Sequence, residues 1–290
     1  MIVPQMTTLD VEHLRRWVGK TQQQSDEVTQ RTVDSLRATL EFAGLPREDA
    51  IPVTLHWCLA PEIEPLSRLD EDGHPFRGEF LPPIPLARRL WAGADLAFHD
   101  RWRIGDRVQR VSRVADIQVK NGRSGTLCFV TLAHEFATAR GLALEERHHI
   151  VYRDATPSAP VDAPSPLDAA AQWTHSLHID SRRLFRYSAL TFNAHRIHFD
   201  IEYCKAEGYS GLLVHGPLQA SLLAELAASV GGGRSLASMS FRAVRPLTQP
   251  ATVVTNACEC AEGLNLWMCG PDGATTVKGN ATWKAGKPVS

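Results

Sequence analysis

Residues 191–200 read TFNAHRIHFD, an amide and two histidines within a short span. His198 follows Asn193 by five residues, with His195 between them. An imidazole titrates near neutrality, so it can take a proton and return it within one site. A carboxamide exchanges hydrogen bonds but takes no proton at any working pH. Three readings compete here: a proton-transfer loop, a metal pair on histidines three apart, and a loop histidine held in ordinary packing. The metal pair has no acidic or cysteine third ligand at supporting spacing. Downstream, His215-Gly216-Pro217 opens an apolar run with proline where a helix starts. Asp200, ahead of IEYCKAEGY, reads as the N-cap of a short helix.

Other chemistries lack their residues. Gly208-Tyr209-Ser210-Gly211-Leu212 approaches a nucleophile elbow, but Leu212 stands where the last glycine belongs. Gly231-Gly232-Gly233 follows a helical run instead of opening one, which disfavours a phosphate loop and a dinucleotide domain. The six cysteines form no Cys-x-x-Cys pair; Cys258 and Cys260 would share one strand face as small buried side chains. No metal or other cofactor is expected. The formal charge of −1 supplies no basic field for nucleic acid or an anionic membrane. No apolar run reaches membrane-spanning length, and MIVPQMTTLDVEHLRR lacks the apolar block of a signal peptide, so a cytoplasmic location is expected.

These residues need elements to position them. DATPSAPVDAPSPLDAAA, residues 154–171, is rich in proline and poor in large apolar side chains, so it reads as an extended linker. It separates a first domain, 1–153, from a second, 172–290. Val28, Val33, Leu36, Leu40 and Phe42 recur at helical spacing and predict a helix between Glu27 and Gly44. Ala115, Ile117 and Val119 alternate with polar residues, and Asn121-Gly122 predicts a hairpin turn into TLCFVTLAHE. In the second domain HGPLQASLLAELAASVGGG predicts an apolar helix ended by glycine. Strands are predicted around 238–245, 252–259, 264–269 and 275–284. A helix followed by antiparallel strands, given twice, predicts an α+β double hot-dog, each half a sheet wrapped around a central helix.

FRYSALTFNAHRIHFD followed by GLLVHGPLQASLL resembles the active-site segment of MaoC-like hot-dog hydratases and dehydratases. That family carries an Asp, a catalytic His five residues later, a further acid, and a His-Gly that opens the central helix. His198, Asp200 and His215-Gly216 fall on the last three; Asn193 replaces the Asp. The form with Asn193, His195 and Arg196 resembles the mesaconyl-CoA and 3-methylfumaryl-CoA hydratase branch. HWCLAPE, RGEFLPPIPLARRLWAG, VKNGRSGTLCFVTLAHE and ERHHIVYR resemble that branch's N-terminal dehydratase-like domain. The resemblance implies an acyl-CoA substrate and a catalytic second half, and it allows a homodimer.

Adding water to a double bond conjugated to a thioester needs a base for the water, an acid for the α-carbon and donors for the thioester oxygen. His198 is expected to be the base, Asn193 to hold the water, and His215 with the Gly216 N–H to meet the thioester oxygen at the helix start. Tyr187 and His195 are candidate substrate contacts. Arg182 and Arg183 are candidates for the coenzyme A phosphates. Arg186 and Arg196, set among apolar residues, with Arg88 and Arg89 from the first half, are candidates for a second carboxylate. The expected activity is reversible hydration of a short, branched, unsaturated dicarboxylyl-CoA. The competing readings are a fatty-acid-type 3-hydroxyacyl thioester dehydratase and an acyl-CoA-binding protein without catalysis.

Overall fold

The computed structural model describes residues 9–42, 50–122, 125–154 and 170–285. The short helix α1 (Val11–Arg15) leads into strand β1 (Thr21–Glu27) and helix α2 (Gln30–Leu40). Thr29 caps α2 by accepting from Thr32 N, so the helix starts later than its apolar periodicity suggests. It ends where Glu41 turns left-handed. Strands β2 (Arg88–Phe98), β3 (Arg107–Gly122), β4 (Gly125–Thr138) and β5 (Gly141–Arg153) complete the first half. Asn121 and Gly122 still pair across the ladder, with Thr126 and Gly125. The two strands of the predicted hairpin are therefore paired, and Asn121-Gly122 belongs to the ladder rather than to a turn; residues 123–124 lie outside the described residues.

The second half begins with β6 (Trp173–Ile179), α3 (Ser181–Leu190), α4 (Ile201–Ala206) and α5 (Gly216–Val230). Then come β7 (Leu236–Ala243), β8 (Ala251–Cys260), β9 (Gly263–Cys269) and β10 (Thr275–Trp283), matching the four predicted strands. Most of the predicted linker lies outside the described residues.

All ten strands form one antiparallel sheet in the order β1-β3-β4-β5-β2-β7-β10-β9-β8-β6. The halves join where β2 pairs with β7, from Gly93 opposite Arg242 to Ala97 opposite Ser238. The second half of the sheet wraps α5, in which every residue from Leu218 to Ala227 is buried. A helix apolar on all sides is buried on all sides. Val33, Leu36 and Leu40 of α2 share a core with Ala94, Leu96, Val108 and Phe136 from the first half of the sheet and with Leu222 and Leu226 of α5. This is the expected α+β double hot-dog layout, with the two sheets merged.

Candidate active site

The loop that carries Asn193, His195 and His198 is fixed from both ends. Asp180 caps α3 by accepting from Arg182 N and Arg183 N. Asp200 caps α4 by accepting from Glu202 N and Tyr203 N, the structural role its position predicts. Between them lies a short 3₁₀ turn, Arg196–His198. Leu213 clamps that turn: its N–H donates to Ile197 O at 2.8 Å, and its carbonyl accepts from His198 Nδ1 at 2.7 Å. A carbonyl can only accept, so Nδ1 carries the proton and Nε2 keeps a lone pair. Burial lowers the pKa of His198 to about 4, against the Leu213 hydrogen bond, so the ring is neutral at neutral pH.

His215 stands at the N-cap of α5, its ring stacked on His198 with centroids 3.5 Å apart. Its Nε2 lies 2.8 Å from Ser188 Oγ, and burial drives its pKa well down. Gly216 follows at the first turn of α5. A Cβ there would come within 2.2 Å of the Trp91 ring, so only glycine lets β2 approach the helix end this closely.

A cavity of about 1040 Å³ opens on this end of α5 and extends across the inner face of the first half. Of the residues singled out in the sequence, His198, Asn193, His195, His215, Gly216, Tyr187 and Arg89 line it. The other arginines do not. Arg88 and Arg89 are consecutive on β2 and so point to opposite faces; Arg88 pairs with Glu207 at 2.6 Å. Arg196 pairs with Asp200 at 2.7 Å and lies over the Tyr203 ring. Arg186 is exposed instead of embedded among apolar residues. Arg182 pairs with Asp180 at the surface, and Arg183 donates to Leu40 O at 2.7 Å. Asn193 lines the cavity, and its Oδ1 accepts from His195 N–H at 2.9 Å, which occupies one of the oxygen's two lone pairs.

Two groups in the cavity wall come from the first half, and neither was singled out in the sequence. Asp72 and His74 reach the Asn193–His198 loop from a turn after Asp70. Gly73 has φ +89, and a Cβ on it would lie 1.9 Å from Ala194 O, so the turn and the loop touch backbone to backbone. Arg196 N donates to Asp72 O at 2.9 Å. Asp72 Oδ2 lies 3.0 Å from His74 Nδ1, and Oδ1 accepts from His74 N at 2.8 Å. The His74 ring lies 4.0 Å from that of His195, which is 5.5 Å from that of His198. Burial and the charge of Arg89 lower the pKa of His74 to about 4, against its bond to Asp72. Burial alone would raise the Asp72 carboxyl; the hydrogen bonds and charge of His74, with Arg89, hold it below the usual carboxylate range. The available signal was Asp72-Gly73-His74-Pro75, a turn carrying an acid and a histidine.

The second group lies across the sheet. His134 of β4 and Glu146 of β5 are register partners on the inner face. Glu146 Oε1 accepts from Trp57 Nε1 at 3.0 Å and lies 2.8 Å from His148 Nδ1. His56 is fully buried, with Nε2 3.6 Å from Glu146 Oε2. Burial lowers His56 to about 4 and His134 to about 3. Polar residues at inward positions of an alternating strand were the missed signal. Asp72, His74 and His195, and likewise His134, Glu146 and His148, each bring three donor atoms within 4.8 Å of one another, a spacing that admits a metal ion.

A model of the hydroxyacyl-thioester dehydratase type 2 family matches residues 54–249. The mesaconyl-C(4)-CoA hydratase of Chloroflexus aurantiacus is 43% identical over 267 residues, covering 90% of this chain and 94% of that one. A mitochondrial hydroxyacyl-thioester dehydratase type 2 of Schizosaccharomyces pombe is 26% identical over 84% of this chain and 91% of its own. Among solved structures, a MaoC-like dehydratase from Phytophthora capsici superposes with a TM-score of 0.70 at 15% identity, over 96% of this chain and 100% of that one. That likeness shows the fold.

Proposed function

The chain belongs to the hydroxyacyl-thioester dehydratase type 2 family, and from that premise we propose that it is a hydro-lyase acting on a short, branched dicarboxylyl-CoA. The substrate proposed is mesaconyl-C4-CoA, reversibly hydrated to citramalyl-CoA. The identity shared with a hydratase of that name supports the substrate class. His198 takes a proton from water through Nε2 as the oxygen bonds to the β-carbon, then returns it to the α-carbon. The thioester oxygen lies against the Gly216 N–H, where the first turn of α5 leaves donors unpaired and the helix dipole favours negative charge.

Arg89 is the observation that carries the dicarboxylate. In mesaconyl-C4-CoA the free carboxylate is bonded to the carbon that receives the hydroxyl, so its cation must lie close to the catalytic imidazole. Arg89 lines the cavity beside His74 and His195, and its charge lowers the pKa of both. The remaining candidate arginines are tied up or turned away from this spot.

The experiment is a hydration assay on a panel of enoyl-CoA thioesters. The wild-type protein is expected to favour mesaconyl-C4-CoA over crotonyl-CoA. Arg89→Met should raise KM for the dicarboxylyl thioester by one to two decades, on the basis of about 1.5–3 kcal/mol for a charge-assisted contact. Crotonyl-CoA hydration should be spared, because the same change removes an unmatched cation from its pocket. Equal loss on both substrates overturns the assignment of Arg89.

A further inference from the structure

The loop raises a question that its own residues do not answer. An attacking water presents two hydrogens, and His198 Nε2 takes only one. The commoner family pattern has a carboxylate at the position of Asn193, which could accept the other. Here the Asn193 oxygen already accepts the His195 N–H at 2.9 Å, so one of its two lone pairs is taken, and the amide has no second oxygen to turn to the water as a carboxylate would.

We propose that His74, oriented by Asp72, supplies the acceptor that a carboxylate's second oxygen would otherwise provide, from the first half of the chain, making it a catalytic residue of the same site. The inference rests on the hydratase reading above. The geometry carries it. The Asp72 carboxylate accepts the Nδ1 hydrogen of His74 at 3.0 Å, which leaves Nε2 as the ring's lone-pair atom. His74 lines the same cavity as His198 and Asn193, and the His195 ring adjoins both imidazoles, 4.0 Å from His74 and 5.5 Å from His198. The turn that carries it cannot drift, because Gly73 meets Ala194 O and Asp72 O accepts from Arg196 N at 2.9 Å. An acid that fixes a histidine's tautomer and orientation is the logic of a catalytic triad.

The step balances. The water oxygen bonds to the β-carbon and one of its hydrogens passes to His198 Nε2. The π pair moves toward the α-carbon and the thioester oxygen, forming the enolate. The second hydrogen stays on oxygen throughout, hydrogen-bonded to His74 Nε2, and becomes the product hydroxyl. His198 then returns its proton to the α-carbon. Asp72 gains and loses nothing.

The test uses the full-length protein with mesaconyl-C4-CoA, comparing wild type, His74→Ala, Asp72→Asn, and His74→Ala combined with Asn193→Asp. His74→Ala is expected to lower kcat at least thirtyfold while KM stays within about threefold, since the loss falls on the attacking water. Asp72→Asn, the milder change in shape, should lower kcat at least tenfold by letting the ring settle in the wrong tautomer. Adding Asn193→Asp to His74→Ala should recover at least tenfold, because a carboxylate at 193 keeps one oxygen on the His195 N–H and turns the other to the water. A structural prop would not be rescued in this way. Variants within threefold of wild type, or a His74→Ala loss that Asn193→Asp leaves unchanged, overturn the proposal while the hydratase reading stands. A wild-type protein that hydrates no enoyl-CoA in the panel overturns both.

Discussion

His198 is a buried imidazole whose basic nitrogen faces the cavity, and its environment sets the pH range in which it works. As the proposed base the ring acts in its neutral form, and burial lowers its pKa to about 4. The kcat/KM profile of the free protein should therefore hold its plateau as pH falls past the ordinary histidine value and decline only near 4. An acid limb centred near 6.5 would show that the ring is solvated. His198→Ala is expected to lower hydration turnover at least about a hundredfold with an unchanged unfolding temperature. At this scale the sequence was half legible. Asn193, His198 and His215 stood out because their spacing is local. Asp72 and His74 did not, because only the fold brings their turn to the loop. The arginines were misjudged for a related reason: apolar sequence neighbours do not say which way an arginine points, and Arg186 on α3 points outward.

The elements divide the work between a helix end and a strand. In the proposed mechanism the first turn of α5 serves the thioester oxygen, and Trp91 of β2 packs against Gly216 at that turn. Gly216→Ala puts a methyl group into that ring, and overpacking of this kind costs about 1–3 kcal/mol. The expected result is a lowered unfolding temperature together with a lowered kcat, as α5 shifts away from the site. Normal values of both would mean that Trp91 moves freely. The helix and β7–β10 were legible from apolar periodicity, whereas β1 and β6 were not. β1 reads TQQQSDE, and only alternating half-exposure marks it as a strand. Both lie at the outer edges of the sheet, where one side of the ladder faces solvent and polar side chains are favoured.

Taken as a whole, the molecule keeps an unusual number of histidines neutral in its interior, which couples its stability to pH. An unfolded histidine binds a proton below about 6.5. Folded His56 stays neutral until about 4, and His134 until about 3. Between those values the unfolded chain takes up protons that the native one refuses, so stability is complete above 6.5 and falls as pH is lowered. At pH 5 each such group costs up to about 2 kcal/mol, at roughly 1.4 kcal/mol per pH unit. The urea midpoint should therefore drop markedly between pH 7 and pH 5, and less so in a His56→Phe variant. An unchanged midpoint would place those rings in contact with water. The merging of two sheets into one was not legible, because strand pairing between halves leaves no local mark.

The β2–β7 seam lies within a single polypeptide, and this frees the protein from the rule of symmetric assemblies. Where two identical chains meet about a two-fold axis, every residue appears on both sides and every improvement is duplicated. Here each side of the seam can differ. One half carries His198 and the α5 helix end proposed to meet the thioester; the other carries Arg89 and the Asp72-Gly73-His74 turn. The cavity is thus lined differently from the two halves. For the proposed citramalyl-CoA product, whose stereocentre carries four different groups, that allows a different wall for each.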